Sequence, residues 1–226
     1  MNDPAEVGQV AVCFAMTDES RLFTAGPGEP GVTVIHTGVG GAPDLRERFA
    51  RRLAAAGSPR LVISAGYVGA LSPILAVGDL VLAENRSSPA LLSRARDALA
   101  GEPVHVGALL TTPDAVEHAR DKARLHRETG AIAVDMETAW IAEACASAGL
   151  PLLSLRVVSD AAGEDFPVPN RVLYDVARQT PRYVALPLWL ALHPSRIGTF
   201  VRFVRALGPA RERLTRALHL VLAKGR

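Results

Sequence analysis

The stretch Gly130-Ala-Ile-Ala-Val-Asp-Met-Glu-Thr-Ala-Trp-Ile-Ala-Glu-Ala-Cys-Ala-Ser-Ala-Gly149, continued by Pro151-Leu-Leu-Ser-Leu-Arg-Val-Val-Ser-Asp160, decides how this chain folds. It reads as a buried strand from Ala131 to Val134, a helix, and a second buried strand from Leu152 to Val158. Asp135, Met136 and Glu137 fall where the helix begins, and the free amides of a first turn favour a carboxylate there. Ile141 and Cys145 share one helix face, and Gly149 takes the left-handed conformation past the helix end most easily. The second strand is apolar except for Ser154 and Arg156, and it delivers Ser159 and Asp160 at its C-terminal end, where parallel α/β sheets bind ligands. Two readings stay open. Met136-Glu137 and Ser159-Asp160 converge on a polar, ring-bearing ligand, or Glu137 and Asp160 only cap helices.

Val134-Asp-Met-Glu-Thr-Ala139 followed by Leu155-Arg-Val-Val-Ser-Asp160 resembles the paired hallmark of the nucleoside phosphorylase and nucleosidase superfamily, which includes methylthioadenosine/S-adenosylhomocysteine nucleosidase and futalosine hydrolase. The resemblance covers most of residues 10 to 160. It implies the phosphorylase/hydrolase-like α/β fold, a central mixed twisted sheet flanked by helices, and cleavage of the N-glycosidic bond of a purine nucleoside modified at its 5′ position. Breaking that bond leaves an oxocarbenium-like sugar and negative charge on the base, so an acid near the purine lowers the barrier. By resemblance Asp160 is that acid, kept protonated by burial and oriented by Ser159 and Arg156. Glu137 accepts hydrogen bonds from the ribose hydroxyls and Met136 packs under the sugar; Val134 and Asp135 join them in the binding set.

Earlier in the chain, Val10 to Phe14 is a short apolar strand, and Thr17 or Asp18 is placed to cap the helix that follows. Taken alone, Glu19 is a favourable first-turn charge. The superfamily's nucleosidases share a strand, Ala-Met and an acidic cluster, which implies that Glu19 activates water and that Met16 lies at the site. Val32 to His36 is a strand ending in Thr37-Gly-Val-Gly-Gly41, and Leu45, Phe49 and Leu53 line one face of the next helix. The Gly-rich turn can hold an anion on its amides, but it is not G-x-G-x-x-G. The resemblance puts it, Gly38 included, beside the ribose and the water or phosphate. His36 is either site-facing or a satisfied strand-end histidine.

Arg60 to Leu71 reads as a strand running into a second Gly-rich turn, and Val77 to Ala83 as the next strand. The pattern is similar to the superfamily's segment that shapes the base and sugar pocket, which implies that Gly66, Tyr67 and Val68 line it. Where the phosphorylases carry an Arg and a Ser to hold phosphate, this chain has Ser64 and Tyr67. Without that Arg, phosphate would rest on backbone amides alone, so water is favoured as nucleophile. Tyr67 stacks on the base, closes the pocket or packs in the core. Val106 to Asp114 reads as a strand plus turn, and Ala115 to Glu128 as a polar helix. Methylthioadenosine-type nucleosidases place an aromatic ring near this turn, and Pro113, Asp114, Ala115 and Val116 offer none. Ala161 to Asn170, with Gly163 and two prolines, is a loop able to cover the site.

With 226 residues, 49% of them hydrophobic, the chain suits one domain with a sizeable core. The expected organisation is a single nucleoside phosphorylase/nucleosidase-like domain, core 10–170 and helical tail 171–226. Cys13 and Cys145 read as buried thiols of a reducing cytoplasm; no basic leader and no apolar run of ~20 residues is present. No Cys/His cluster asks for a metal and no cofactor is implied. Residues 171–226 carry 11 Lys+Arg against 2 Asp+Glu, net +9, and residues 1–170 carry 14 against 21, net −7. The basic residues are not interleaved with stacking aromatics, so nucleic acid is not a partner. Helical segments are expected over Arg171–Gln179, Tyr183–Leu192 and Ile197–Ala223. The tail resembles the extended C-terminus of hopanoid-associated nucleosidases or phosphorylases, which implies an adenosyl-bearing triterpenoid substrate. Phe200, Phe203, Val204 and Leu207, with Arg202 and Arg205 beside them, form an amphipathic stripe for a lipid surface, or else an inward face or dimer interface. The superfamily's sites are usually completed across a subunit interface, implying a homodimer or higher homo-oligomer.

Overall fold

A computed structural model describes residues 9–25, 31–57 and 59–224. In chain order the elements are β1 (Val10–Phe14), α1 (Thr17–Ala25), β2 (Val32–His36), α2 (Pro43–Ala55), β3 (Leu61–Ala70), β4 (Leu80–Ala83), α3 (Pro89–Ala98), β5 (Val104–Gly107), β6 (Leu109–Thr111), α4 (Ala119–Thr129), β7 (Ala133–Asp135), α5 (Thr138–Ser147), β8 (Leu152–Asp160), α6 (Asn170–Leu173), β9 (Tyr174–Asp175), β10 (Thr180–Pro181), α7 (Ala185–Leu192) and α8 (Ile197–Lys224).

The strands form one mixed eight-stranded sheet in the order β2-β1-β3-β8-β4-β5, with β7 pairing β3 and β6 pairing β7. β1, β2, β3 and β8 run parallel, and β4 lies antiparallel to β8. The long β3 serves two neighbourhoods. Its first residues pair with β1 and β8, and Gly69 and Ala70 pair antiparallel with Val134 and Ala133 of β7, next to a register shift against β8. The strand ends bearing Tyr67, Asp135 and Asp160 are thereby gathered at one place.

Alternation along the strands divides the core. Val10, Val12 and Phe14 of β1, with Leu153, Leu155 and Val157 of β8, pack under α1, α3 and the second half of α8. Ala11, Cys13 and Val62 face α2 and α5 through Phe49, Leu53, Trp140, Ile141 and Cys145. Both cysteines are buried free thiols, as expected. Leu45, Phe49 and Leu53 are the buried residues of α2, and Gly149 stands in the left-handed conformation after α5.

Several boundaries differ from the sequence reading. The strand expected over Val77–Ala83 begins at Leu80, the polar helix begins at Ala119, and α3 was not anticipated. The helix expected over Arg171–Gln179 is one turn, Asn170–Leu173, followed by the β9–β10 ribbon. Asp175 explains the change. Its carboxylate accepts the Arg178 N–H and pairs with the Arg178 and Arg182 guanidinium groups, competing with helical bonds for the chain. Ala210, Leu214, Ala217, Leu218 and Leu222 of α8 are buried, so this half of the tail is core. Among the described residues no helix is long and apolar enough to cross a membrane.

Candidate active site

Glu19, the third residue of α1, turns back over the end of β1. Its Oε2 accepts the Met16 N–H and its Oε1 the Tyr67 N–H, both at 2.9 Å. The side chain is buried, and burial raises its pKa against the opposing pull of those two amides and of Arg156. A Cβ on Gly66 would stand 2.7 Å from both Glu19 Oε1 and Arg156 Nη1, so only glycine fits between them.

At the β7–α5 corner the two acids take different work. Asp135 does the capping: its Oδ2 accepts the Thr138 N–H at 3.1 Å and the Thr138 hydroxyl, and its Oδ1 the Thr111 hydroxyl at 2.8 Å. Glu137 makes no such cap. Its Oε1 accepts the Gly40 N–H at 2.7 Å, and burial, then the charge of Asp135, raises its pKa well above the ordinary carboxylate range. The Gly38–Gly41 loop that offers this amide is clipped by the tail, because Gln179 accepts the Val39 N–H at 2.8 Å and donates to the Val39 carbonyl at 2.9 Å.

At the end of β8, Ser159 Oγ lies 2.6 Å from Asp160 Oδ1 and 3.1 Å from the Val68 carbonyl. Arg156 does not orient Asp160. Four residues of strand separate their Cα atoms by ~13 Å, and the guanidinium instead donates to Ser64 and Thr138 at 2.6 Å and pairs with Asp135 at 3.1 Å. The partner of Asp160 is Lys122 of α4, whose Nζ lies 2.5 Å from Asp160 Oδ2, 2.8 Å from the Ala161 carbonyl and 3.1 Å from that of Glu164. Lys122 is fully buried. Of the two residues expected to orient Asp160, Ser159 does so, and Lys122 stands where Arg156 was expected.

These groups line a cavity of about 170 Å³ that has Met16, Glu19, Tyr67, Val68, Val134, Asp135, Met136, Glu137, Ser159 and Asp160 in its wall. Gly66 and Arg156 lie behind it, and Gly38 lines a neighbouring cavity of about 290 Å³ with His36, which bonds Ser20 at 2.8 Å. The Tyr67 ring packs against the core, and its hydroxyl donates to the Leu207 carbonyl at 3.4 Å. The ring missing from the Pro113–Val116 turn comes from elsewhere, since Phe166 of the post-β8 loop reaches the wall beside Ala115 and Val116. It lies edge-on to Phe203 of α8, with centroids 5.1 Å apart. Among the described residues no lysine or arginine lines this cavity.

Chemically, one end has buried carboxylates fed only by backbone amides, suited to accept a proton. The other has a carboxylate in contact with an ammonium and a hydroxyl, suited to deliver one. Among the described residues no group of three or more His, Cys, Asp or Glu is placed to hold a metal ion.

The sequence model of the family described as the phosphorylase superfamily matches residues 13–87 and 84–179. The 5′-methylthioadenosine/S-adenosylhomocysteine nucleosidases of Mycobacterium bovis and Mycobacterium tuberculosis are each 26% identical to this chain, over 78% of it and 84% of their own length. Among solved structures, futalosine hydrolase of Helicobacter pylori superposes with a TM-score of 0.69 at 16% identity, covering 97% of this chain and 99% of that one. The S-adenosylhomocysteine nucleosidase of Streptococcus pyogenes, in complex with 5-methylthiotubericidin, gives 0.69 at 17% identity over 97% and 98%. This likeness shows the fold.

Proposed function

The chain belongs to the phosphorylase superfamily, and on that footing we propose that it is a nucleosidase, hydrolysing the N-glycosidic bond of a 5′-modified purine nucleoside to free base and sugar. The observation that carries the reading is the pairing of unlike carboxylates across one cavity, Glu19 on backbone amides and Asp160 on Lys122. Its relatives with assigned activity, the mycobacterial nucleosidases, support it.

In this mechanism the purine lies against Asp160 and the ribose over Met136 and Glu137. As the C1′–N bond lengthens, its electron pair passes to the base, which takes a proton from the Asp160–Lys122 pair. Glu137 accepts the ribose hydroxyls. Glu19 holds a water on the open face of C1′ and takes its proton as the oxygen bonds to carbon; protons exchanged with solvent restore both ends. Raising the pKa of Glu19 by burial makes its ionised form a stronger base. Ser159 orients Asp160, and Arg156 fixes Asp135 and so the start of α5.

Phosphorolysis is the second reading. Against it stand the two buried acids and, among the described residues, the lack of a cation in the wall beside Glu19, where phosphate would need one; Arg48 and Arg52 line only the neighbouring cavity. The whole chain is proposed to act as one domain, core 10–170 with tail 171–226, in the cytoplasm as a homodimer or higher homo-oligomer, with its basic tail touching a membrane from one side. An adenosyl-bearing triterpenoid is one candidate substrate.

Base release from methylthioadenosine, S-adenosylhomocysteine, futalosine, inosine and an adenosyl-hopane, with and without phosphate, tests the reading. Free base without phosphate is expected. Release only with phosphate makes the chain a phosphorylase, and no release from any member removes the proposal.

A further inference from the structure

The tail's two halves differ in what covers them. From Ala210 onward α8 is packed into the core, while the segment before it is covered by little: no residue of α7 is buried. Val184, Leu188 and Leu192 recur at helical spacing and are 81%, 62% and 72% exposed, with Tyr183 beside them at 80%. After one 3-10 turn at Pro194–Arg196 the pattern resumes, and Ile197, Val201 and Val204 are exposed at the same spacing. This is not the stripe anticipated from the sequence, since Phe203 turns inward onto Phe166. A monomer rarely leaves so many large apolar side chains bare along one segment.

The charge around this surface selects what covers it. Between Asp175 and Glu212 the chain has no acidic residue and has Arg178, Arg182, Arg196, Arg202, Arg205 and Arg211. Arg178 and Arg182 are held by Asp175, Arg211 by Asp18, and Arg196 lies within the field of Asp165, which with Glu164 shares a cavity wall with Arg202. Arg202 and Arg205 make no ion pair among the described residues. A second copy docked by a two-fold axis would set these arginines against their own image. An anionic surface meets them with opposite charge. Trp189, stacked on His193 at 4.1 Å, adds a side chain of the kind that settles at the boundary of lipid and water.

We propose that α7 and the first half of α8 form a docking surface for an anionic lipid bilayer, apolar side chains entering the headgroup region and arginines meeting the lipid charge. The eight residues of α7 are too few to span, so it lies in the plane of the interface. The inference names the lipid contact of the membrane-touching tail proposed above, and it does not depend on the nucleosidase reaction. Phe203, on the same segment, abuts Phe166 in the cavity wall, so the docked face adjoins the site.

The test is flotation of the purified full-length protein with vesicles of phosphatidylcholine alone or mixed with phosphatidylglycerol, without nucleoside. Binding to the mixed vesicles is expected, weakening with salt, and falling about fivefold when Arg205→Gln removes one cation. The pair Leu188→Asp and Leu192→Asp, both at exposed positions, abolishes binding while melting temperature and base release stay unchanged. No binding to anionic vesicles, or equal binding by the aspartate pair, overturns the proposal. So does a concentration-dependent dimer, seen by light scattering, that the aspartate pair dissolves, because a second copy would then be the occupant. Base release from wild type, measured separately, shows whether the catalytic reading fails on its own.

Discussion

At one end of the cavity Glu19 and Glu137 are held by the amides of Met16, Tyr67 and Gly40; at the other Asp160 is held by the side chains of Lys122 and Ser159. An amide keeps its proton, so the first end can only receive one. An ammonium or hydroxyl can pass a proton on, so the second can supply it. In the proposed mechanism the three carboxylates thus take opposed duties from their donors.

Removing the acting group at either end gives the largest effect. Glu19→Gln and Asp160→Asn are each expected to cut turnover by roughly 10²- to 10⁴-fold, read as base release under saturating nucleoside. Near-normal turnover in a folded Glu19→Gln protein ends the hydrolytic mechanism.

Stability should then separate the two ends. Asp160→Asn leaves the buried Lys122 ammonium facing two carbonyls, a loss of about 3–5 kcal/mol, or roughly 10 °C in melting temperature. Glu19→Gln strands one amide and costs about 1–3 kcal/mol. Adding Lys122→Met to Asp160→Asn should restore part of the loss; if it does not, the ion pair is not what holds that end.

The pH dependence follows from the first end alone. Glu19 and Glu137 keep their protons to higher pH in the folded chain than at their ordinary value of 4.5. The unfolded chain releases those protons first, so their contribution is present below 4.5 and is lost as pH rises through the folded values. Melts between pH 5.5 and 8.5 should show wild type losing stability faster than Glu137→Gln. The same raised Glu19 places the acidic limb of the rate profile above the usual carboxylate range. The smallest effect is expected of Gln179→Ala, which frees Val39 and loosens the Gly40 amide, raising KM severalfold at little change in kcat.

What could be read beforehand was local. Met136-Glu137 and Ser159-Asp160 stand at strand ends with the right helix signals around them, and Gly149 stops α5 as expected. Lys122 could not be picked out. In Ala119–Thr129 charged residues occupy every face, and only the position of α4 against the loop after β8 decides which one is buried. Phe166 lies in a loop with no periodicity, and Gln179 reaches the Gly-rich loop across 140 residues. Arg156 pairs with Asp135 rather than Asp160, a choice that depends on how β8 lies against β7 and α5 and that no local pattern carries.

One contact bears on the order in which the molecule is made. Arg211 of α8 grips Asp18 of α1 across 193 residues, and Leu214, Leu218 and Leu222 complete the core that Val10, Val12 and Phe14 begin. The first strand and helix leave the ribosome long before the residues that fix them exist. The nascent chain therefore carries an unfinished apolar face until α8 has been made, and the helix that bears Glu19 is fastened on that side only when α8 docks.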